Sequence, residues 1–168
     1  MTKTDEPQHS GSAAPSGDPA EVEFGLRGSF RKLVGYTTDV WRENYAEIGL
    51  DIRGDHLNSL DNVHGGIYVT LLDAAFGHAV TYCGMPGRIR EAVTVTLTTS
   101  FLGAASKAGR IVARGHVIGV EGRVASVKGE VVDAEGRVCT RGQGTFLYLP
   151  GSENPAGIPK RKRGIGRV

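Results

Sequence analysis

The segment from Val63 to Cys83 constrains the fold most, because it is apolar on nearly every face and contains a single acidic residue, Asp73. A helix of this kind is usually enclosed by other elements. Its longest apolar run, residues 67–80, is interrupted by four polar or small residues and is too short to cross a bilayer. The segment therefore predicts an enclosed central helix and no membrane span.

The chain after Pro86 changes to a two-residue period. In residues 92–102, Val93, Val95 and Leu97 alternate with threonines, which is typical of a long strand. Further strands are predicted from their alternation at 36–42, 45–53, 110–120, 123–132 and 137–149, and an amphipathic helix is predicted at 21–34. Short connections predict a four-strand antiparallel meander after the central helix. We expect an α+β fold in which a curved antiparallel sheet wraps the central helix, the hotdog architecture.

Both ends of the chain differ in composition from the body. Residues 1–20 are rich in Ser, Gly and Pro and are expected to be disordered. Residues 151–168 contain structure-breaking Pro and Gly residues before the basic cluster 160–163, and we expect a flexible basic tail. The predicted domain therefore covers residues 21–150 of the 168.

The distribution of charge argues against a nucleic acid or a membrane as the partner. The two ends carry formal charges of −2 and +4, which leaves the body neutral within the overall +2. The basic tail could contact nucleic acid or anionic lipid, but a solvated tail is favoured, and neither nucleic acid nor a membrane is predicted as a partner. The N-terminus shows no signal-peptide pattern, and the two cysteines fit a reducing compartment, so we expect a cytoplasmic protein.

A polar turn, residues 58–64, precedes Gly65 and Gly66 at the start of the central helix. The first backbone N–H groups of a helix have no partner within it and lie at its positive end. Asp73 follows two turns later among apolar neighbours. The pattern predicts a site that stabilises an oxyanion and a buried carboxylate.

Together these motifs resemble the PaaI-type acyl-CoA thioesterases of the hotdog superfamily, over about residues 36–149. The resemblance rests on Asn58, His64-Gly65-Gly66, Leu72-Asp73, the strand 94–102 and Gly144-Thr145-Phe146. It implies hydrolysis of an acyl-CoA to a carboxylic acid and free coenzyme A, without a metal or organic cofactor.

The resemblance also implies a role for each residue of the turn and for the acid. Asp73 would act as nucleophile or as the base for water, and the Gly65 N–H would polarise the thioester carbonyl. Asn58 would orient water or the carbonyl, and His64 would shape the turn. The alternatives are a helix-packing role for the glycines, a simple turn role for Asn58 and His64, and a structural hydrogen bond for Asp73.

Other residues are weaker candidates for substrate binding. Gly66, Thr70, Gly77, Phe101 and Leu102 are expected near the acyl group, although packing explains them equally well. Three arginines, Arg88, Arg90 and Arg123, could meet the phosphates of coenzyme A or could be solvated strand ends. His78 lies five residues beyond Asp73 and therefore on another helix face, and no metal site is predicted.

The spacing of Gly65 and Asp73 has a consequence for assembly. Eight residues of helix correspond to a rise of about 12 Å, which an aspartate side chain does not span. Both groups could act on one carbonyl if they came from two antiparallel helices. We therefore predict a homodimer with its active sites at the interface, or a tetramer of such dimers.

Two other function classes are compatible with the sequence. A non-catalytic hotdog module could bind acyl-CoA as a sensor or regulator, although it would ordinarily need a partner domain. A hotdog dehydratase would need a catalytic histidine paired with an acid in a different motif. Asn58 and Asp73 favour the thioesterase.

Overall fold

The computed structural model describes residues 29–105 and 107–160. The N-terminal elements are α1 (Ser29–Val34), β1 (Thr37–Arg42), β2 (Tyr45–Asp51), a 3-10 turn (Gly54–His56) and α2 (Gly65–Thr81). The following elements are β3 (Arg88–Ile89), β4 (Ala92–Phe101), β5 (Arg110–Glu121), β6 (Val124–Val132), β7 (Val138–Tyr148) and β8 (Ile158–Pro159). The predicted tail 1–20 and helix residues 21–28 lie outside this range. None of the helices described is long and apolar enough to cross a membrane.

Six antiparallel strands form one sheet in the order β1-β2-β5-β6-β7-β4, packed on α2. The predicted α+β hotdog fold is confirmed. The prediction of a four-strand meander is wrong, because only β5, β6 and β7 are consecutive neighbours and β4 pairs with β7 at the edge. A tight turn at Gly122, with φ of 56°, joins β5 to β6, whereas the longer connection 102–109 carries the chain past two strands.

The core lies between α2 and the concave face of the sheet. Phe76 is fully buried over Gly115, Gly129 and Gly142, which are cross-strand neighbours in β5, β6 and β7. A Cβ atom at Gly129 would overlap the carbonyl oxygen of Arg114 and come within 2.6 Å of the Phe76 ring. These glycines let α2 approach the sheet closely, and burying a phenylalanine stabilises the fold by roughly 1.5–3 kcal/mol.

Residues 151–160 pack against the body, so the predicted flexible tail is wrong for this part of the chain. Ile158 and Pro159 pair with Arg88 and Ile89, and Ser152 is fully buried. The Pro and Gly residues here form turns instead of a free chain, with φ of 87° at Gly151 and 67° at Gly157. Residues 161–168, with most of the basic cluster, lie outside the described range.

Candidate active site

The start of α2 is capped by His64, whose backbone is extended. Its ring Nδ1 accepts a hydrogen bond of 2.9 Å from the N–H of Gly66, and its carbonyl oxygen accepts one from Ile67. No acceptor among the described residues faces the N–H of Gly65. A single backbone donor is therefore left open at the positive end of the helix, where anionic oxygen is stabilised.

The turn before α2 is organised by Asn58. Its Oδ1 accepts from the backbone N–H groups of Leu60, at 2.9 Å, and Asn62, at 3.2 Å. A turn role for Asn58 is therefore real, as such side chains often replace a backbone acceptor in tight turns. The side-chain amino group has no acceptor among the described residues and remains able to contact a ligand.

Sequence reasoning missed His56, a buried residue that ties this turn to α1. Its Nδ1 accepts from the N–H of Arg53 at 3.0 Å, so its Nε2 carries the proton and donates to the carbonyl of Val34 at 2.9 Å. The carbonyl of His56 accepts from the N–H of His64 at 2.8 Å. His56 thus fixes the end of α1 through its ring and the position at which α2 begins through its backbone carbonyl. A lone histidine in a loop carries no periodic signal for this.

Asp73 is only partly buried, contrary to the predicted buried carboxylate. Its Oδ1 accepts a hydrogen bond of 2.7 Å from Thr94 Oγ1 of β4, while no described group donates to Oδ2. Its apolar sequence neighbours Leu71, Leu72 and Phe76 face the sheet, whereas Asp73 faces outward. The role of Thr94 in holding the carboxylate was not predicted, because strand alternation does not show which threonine reaches the helix.

Small residues flank Asp73 along the open side of α2. Gly66, Thr70, Asp73 and Gly77 recur at helical spacing, and all four are at least partly exposed. This side of α2 lies between β1 and β4, the two edge strands of the sheet. The structure therefore brings Thr70 and Gly77 beside the carboxylate on a face that a ligand or a second chain can reach.

Phe101, at the end of β4, lies over Gly65 at the start of α2. A Cβ atom added to Gly65 would lie 3.3 Å from the Phe101 ring, and the ring centroid is 6.5 Å from that of Tyr68. Phe101 and Leu102 are each 57% exposed, so both offer apolar surface beside Gly65. The connection that follows is held to α2 by the Ala105 N–H, which donates to the Tyr68 hydroxyl at 2.9 Å.

The three arginines predicted as possible phosphate contacts all donate to backbone carbonyls near the C-terminus. Arg88 donates to Ala156 and Gly157, Arg90 to Ser152 and Glu153, and Arg123 to Tyr148. The Arg90 guanidinium also lies 4.4 Å from the centroid of the Tyr148 ring. The contacts of Arg88 and Arg90 favour a structural role in fastening residues 151–160 to the body, whereas the contact of Arg123 holds the end of β7.

His78 faces the sheet edge and not the open side that carries Asp73. Its Nδ1 lies 2.7 Å from the carbonyl of Ala74, and its Nε2 lies 3.3 Å from Thr38 Oγ1. Burial lowers the pKa of its ring. Across residues 29–105 and 107–160, no cluster of three His, Cys, Asp or Glu side chains could hold a metal ion.

A model of the thioesterase superfamily matches residues 60–140, which contain α2, β4, Gly65 and Asp73. This part of the chain belongs to the thioesterase superfamily. No curated protein matches the chain significantly.

Solved structures of the same fold agree with this assignment. The TT0310 protein from Thermus thermophilus is 27% identical with a TM-score of 0.66, and the match covers 74% of this chain and 100% of that one. A mutant of the phenylacetic acid degradation protein PaaI from the same organism is 26% identical with a TM-score of 0.64, covering 71% and 98%. PaaI from E. coli, 22% identical with a TM-score of 0.66 and coverage of 77% and 88%, shows the shared fold alone.

Proposed function

We propose that this protein is an acyl-CoA thioesterase that releases a carboxylic acid and free coenzyme A. The observation that carries the proposal is the open N–H of Gly65 at the start of α2, on the same helix as a carboxylate whose Oδ2 has no donor among the described residues. Membership of the thioesterase superfamily supports the reaction class. Coenzyme A enters as part of the substrate, and the proposed chemistry uses no metal or organic cofactor.

The open N–H of Gly65 suits the charge that forms in the reaction. Attack on the thioester carbon places negative charge on the carbonyl oxygen, and a fixed backbone donor stabilises that charge without reorganising. One such donor contributes roughly 3–4 kcal/mol to lowering the barrier. His64 prepares the donor by capping Gly66 instead of Gly65, and the Asn58 amino group is able to orient the carbonyl or the water.

Asp73 can act by either of two routes. As a general base it takes a proton from water through Oδ2 while the water oxygen attacks the carbonyl, and the coenzyme A thiolate then leaves. As a nucleophile it forms an anhydride with the acyl group, expels the thiolate, and is regenerated by water. In both routes the hydrogen bond from Thr94 to Oδ1 holds the carboxylate so that Oδ2 faces the substrate.

The proposed active unit is a homodimer. Gly65 and Asp73 are separated by about 12 Å along α2, so one chain does not bring both to one carbonyl. The single chain also exposes apolar side chains along the free edge strand β4, namely Val93, Val95 and Phe101. A twofold axis beside β4 would cover this surface and set each Gly65 against the Asp73 of the other chain; a tetramer of such dimers is the alternative assembly.

Residues 21–150 form the proposed catalytic domain, with residues 151–160 fastened to it.

Cys139 is buried and Cys83 partly buried, and both are free thiols. A reducing compartment is consistent with this state, and we propose the cytoplasm as the location of the enzyme.

The proposal is tested by assaying the purified protein against a panel of aliphatic and aromatic acyl-CoAs. We expect hydrolysis of at least one of them and a fall in kcat of at least about 100-fold in Asp73→Asn, which keeps the shape of the side chain and an acceptor for Thr94. Glu121→Gln, an equally conservative change at the exposed β5–β6 turn, should leave kcat unchanged. Binding of acyl-CoA without hydrolysis would instead establish the sensor function, and full activity in Asp73→Asn would exclude the mechanism.

A further inference from the structure

β1 runs alongside the second half of α2 in the same direction. Thr38 Oγ1 lies 3.3 Å from Nε2 of His78, and the Trp41 indole N–H donates to the carbonyl of His78 at 2.7 Å. The Trp41 ring also contacts the ring of Tyr82, with centroids 6.0 Å apart. The two elements therefore run parallel. Thr38, early in β1, contacts residue 78 of α2, and Trp41, later in β1, reaches residue 82.

The same geometry leads from Tyr36 to the turn of α2 that contains Asp73. Tyr36 is two residues before Thr38, so it projects from the same side of the chain about 6.6 Å farther back. An equal distance back along α2 is about four residues, which leads from His78 to the turn containing Asp73. In agreement with this position, burial raises the pKa of Tyr36, Arg31 opposes the rise, and the charge of Asp73 adds to it.

Asp73 thus lies between groups from the two edges of the sheet. Thr94 of β4 donates to Oδ1 from one side, and the segment that leads into β1, which contains Tyr36, lies on the side of the other edge strand. The hydroxyl of Tyr36 has no hydrogen-bond partner among the described residues. It is consequently free to bind a water molecule.

The position of Tyr36 is fixed before any ligand arrives. Arg31 Nε donates to its carbonyl at 3.1 Å, and the Arg31 guanidinium carbon lies 5.9 Å from the centroid of its ring. The end of α1 is anchored in turn, because the carbonyl of Val34 accepts from both His56 and Arg53. Tyr36 and these anchors precede residues 60–140, the segment that matches the superfamily.

We propose that Tyr36 is a positioning residue that holds the attacking water against Asp73. The inference rests on the proposed thioesterase function, in its general-base form. The water donates one hydrogen to Asp73 Oδ2 and the other to the Tyr36 oxygen, so a lone pair of the water oxygen is left facing the thioester carbon. The proton that Oδ2 takes during attack is later released, and Tyr36 keeps its own proton throughout.

Tyr36→Phe removes only the hydroxyl group and tests this role. We expect kcat to fall about 10-fold, the scale of one hydrogen bond at the reacting group, with KM within about twofold of wild type. The thermal midpoint should not change, because the folded chain loses no internal hydrogen bond. Tyr82→Phe, at the end of α2 and about 13 Å from Asp73 along the helix, is the matched control and should retain full activity.

The combination with Asp73→Asn separates positioning from packing. Because Tyr36 acts through Asp73, Tyr36→Phe should lower kcat no further in the Asp73→Asn background. Unchanged kcat in the single variant, or an equal loss in both backgrounds, would overturn the role of Tyr36 while leaving the thioesterase proposal intact. A wild-type protein that hydrolyses no acyl-CoA would overturn both.

Discussion

Replacing Gly65 with proline should lower turnover strongly without unfolding the protein. Gly65 is the first residue of α2, the position at which a helix best tolerates proline. The preceding residue, His64, already has φ of −61° and ψ of 135°, which a following proline favours. Since no described residue accepts from the Gly65 N–H, the substitution costs the folded chain no hydrogen bond.

The expected loss follows from the single donor that proline removes. One oxyanion donor contributes roughly 3–4 kcal/mol, so kcat should fall about 100- to 1000-fold. Gly65→Ala is the matched control, because it adds a similar Cβ atom 3.3 Å from the Phe101 ring but keeps the N–H. Phe101 is 57% exposed and can move by the few tenths of an ångström needed, so the alanine variant should remain within about threefold of wild type.

The assay is steady-state hydrolysis of the best acyl-CoA, with thermal melting and size-exclusion chromatography as measures of fold and assembly. The informative comparison is between the proline and alanine variants. If both are folded and turn over equally fast, the Gly65 N–H does not stabilise the oxyanion and the assignment of the site at α2 is wrong.

Two further predictions concern stability. Gly129→Ala forces β5 and β6 apart at Arg114 and should lower the free energy of unfolding, measured by chemical denaturation, by at least about 3 kcal/mol. The control is Gly119→Ala, whose added Cβ atom meets no atom within 4 Å; it should change the free energy of unfolding by less than about 0.5 kcal/mol. A similar loss in both variants would contradict the close packing of Phe76 on β6. Burial lowers the pKa of His78, so the unfolded chain binds a proton that the folded chain rejects, and stability should fall as the pH drops below about 6.5, by at most about 1.4 kcal/mol per pH unit. His78→Gln should lack this part of the acid dependence, and identical pH profiles for the two proteins would refute it.

Periodicity was sufficient to predict the helix and strands but not the order of the strands. The apolar segment around Asp73 and the alternation in residues 92–102 gave α2 and β4 to within a few residues. The position of β4 depends on where the connection 102–109 leads, and the pairing of β4 with β7 is a contact between distant parts of the chain. Residues 151–160 were misassigned for the same reason, since their order comes from arginines far away in sequence.

The candidate site divides in a similar way. The start of α2 at Gly65 could be predicted because helix starts follow local rules, whereas His64, expected to shape the turn, also caps the helix. Thr94 and His56 could not be predicted. Thr94 acts through a hydrogen bond to a residue well separated in sequence, and His56 acts through a backbone carbonyl that is also distant in sequence. Asp73 was expected to be buried from its neighbours, but its side chain leaves the helix on the side opposite theirs.

Subunit mixing tests most directly whether each active site combines Gly65 of one chain with Asp73 of another. Gly65→Pro and Asp73→Asn should each be inactive alone. When the two variants are unfolded together and refolded at equal amounts, half of the dimers should be mixed, and each mixed dimer should contain one site with both native residues. Since half of the dimers then have one of their two sites intact, about one quarter of wild-type activity should be recovered. If the mixed dimers form and show no activity above that of the separate variants, the shared active site is contradicted.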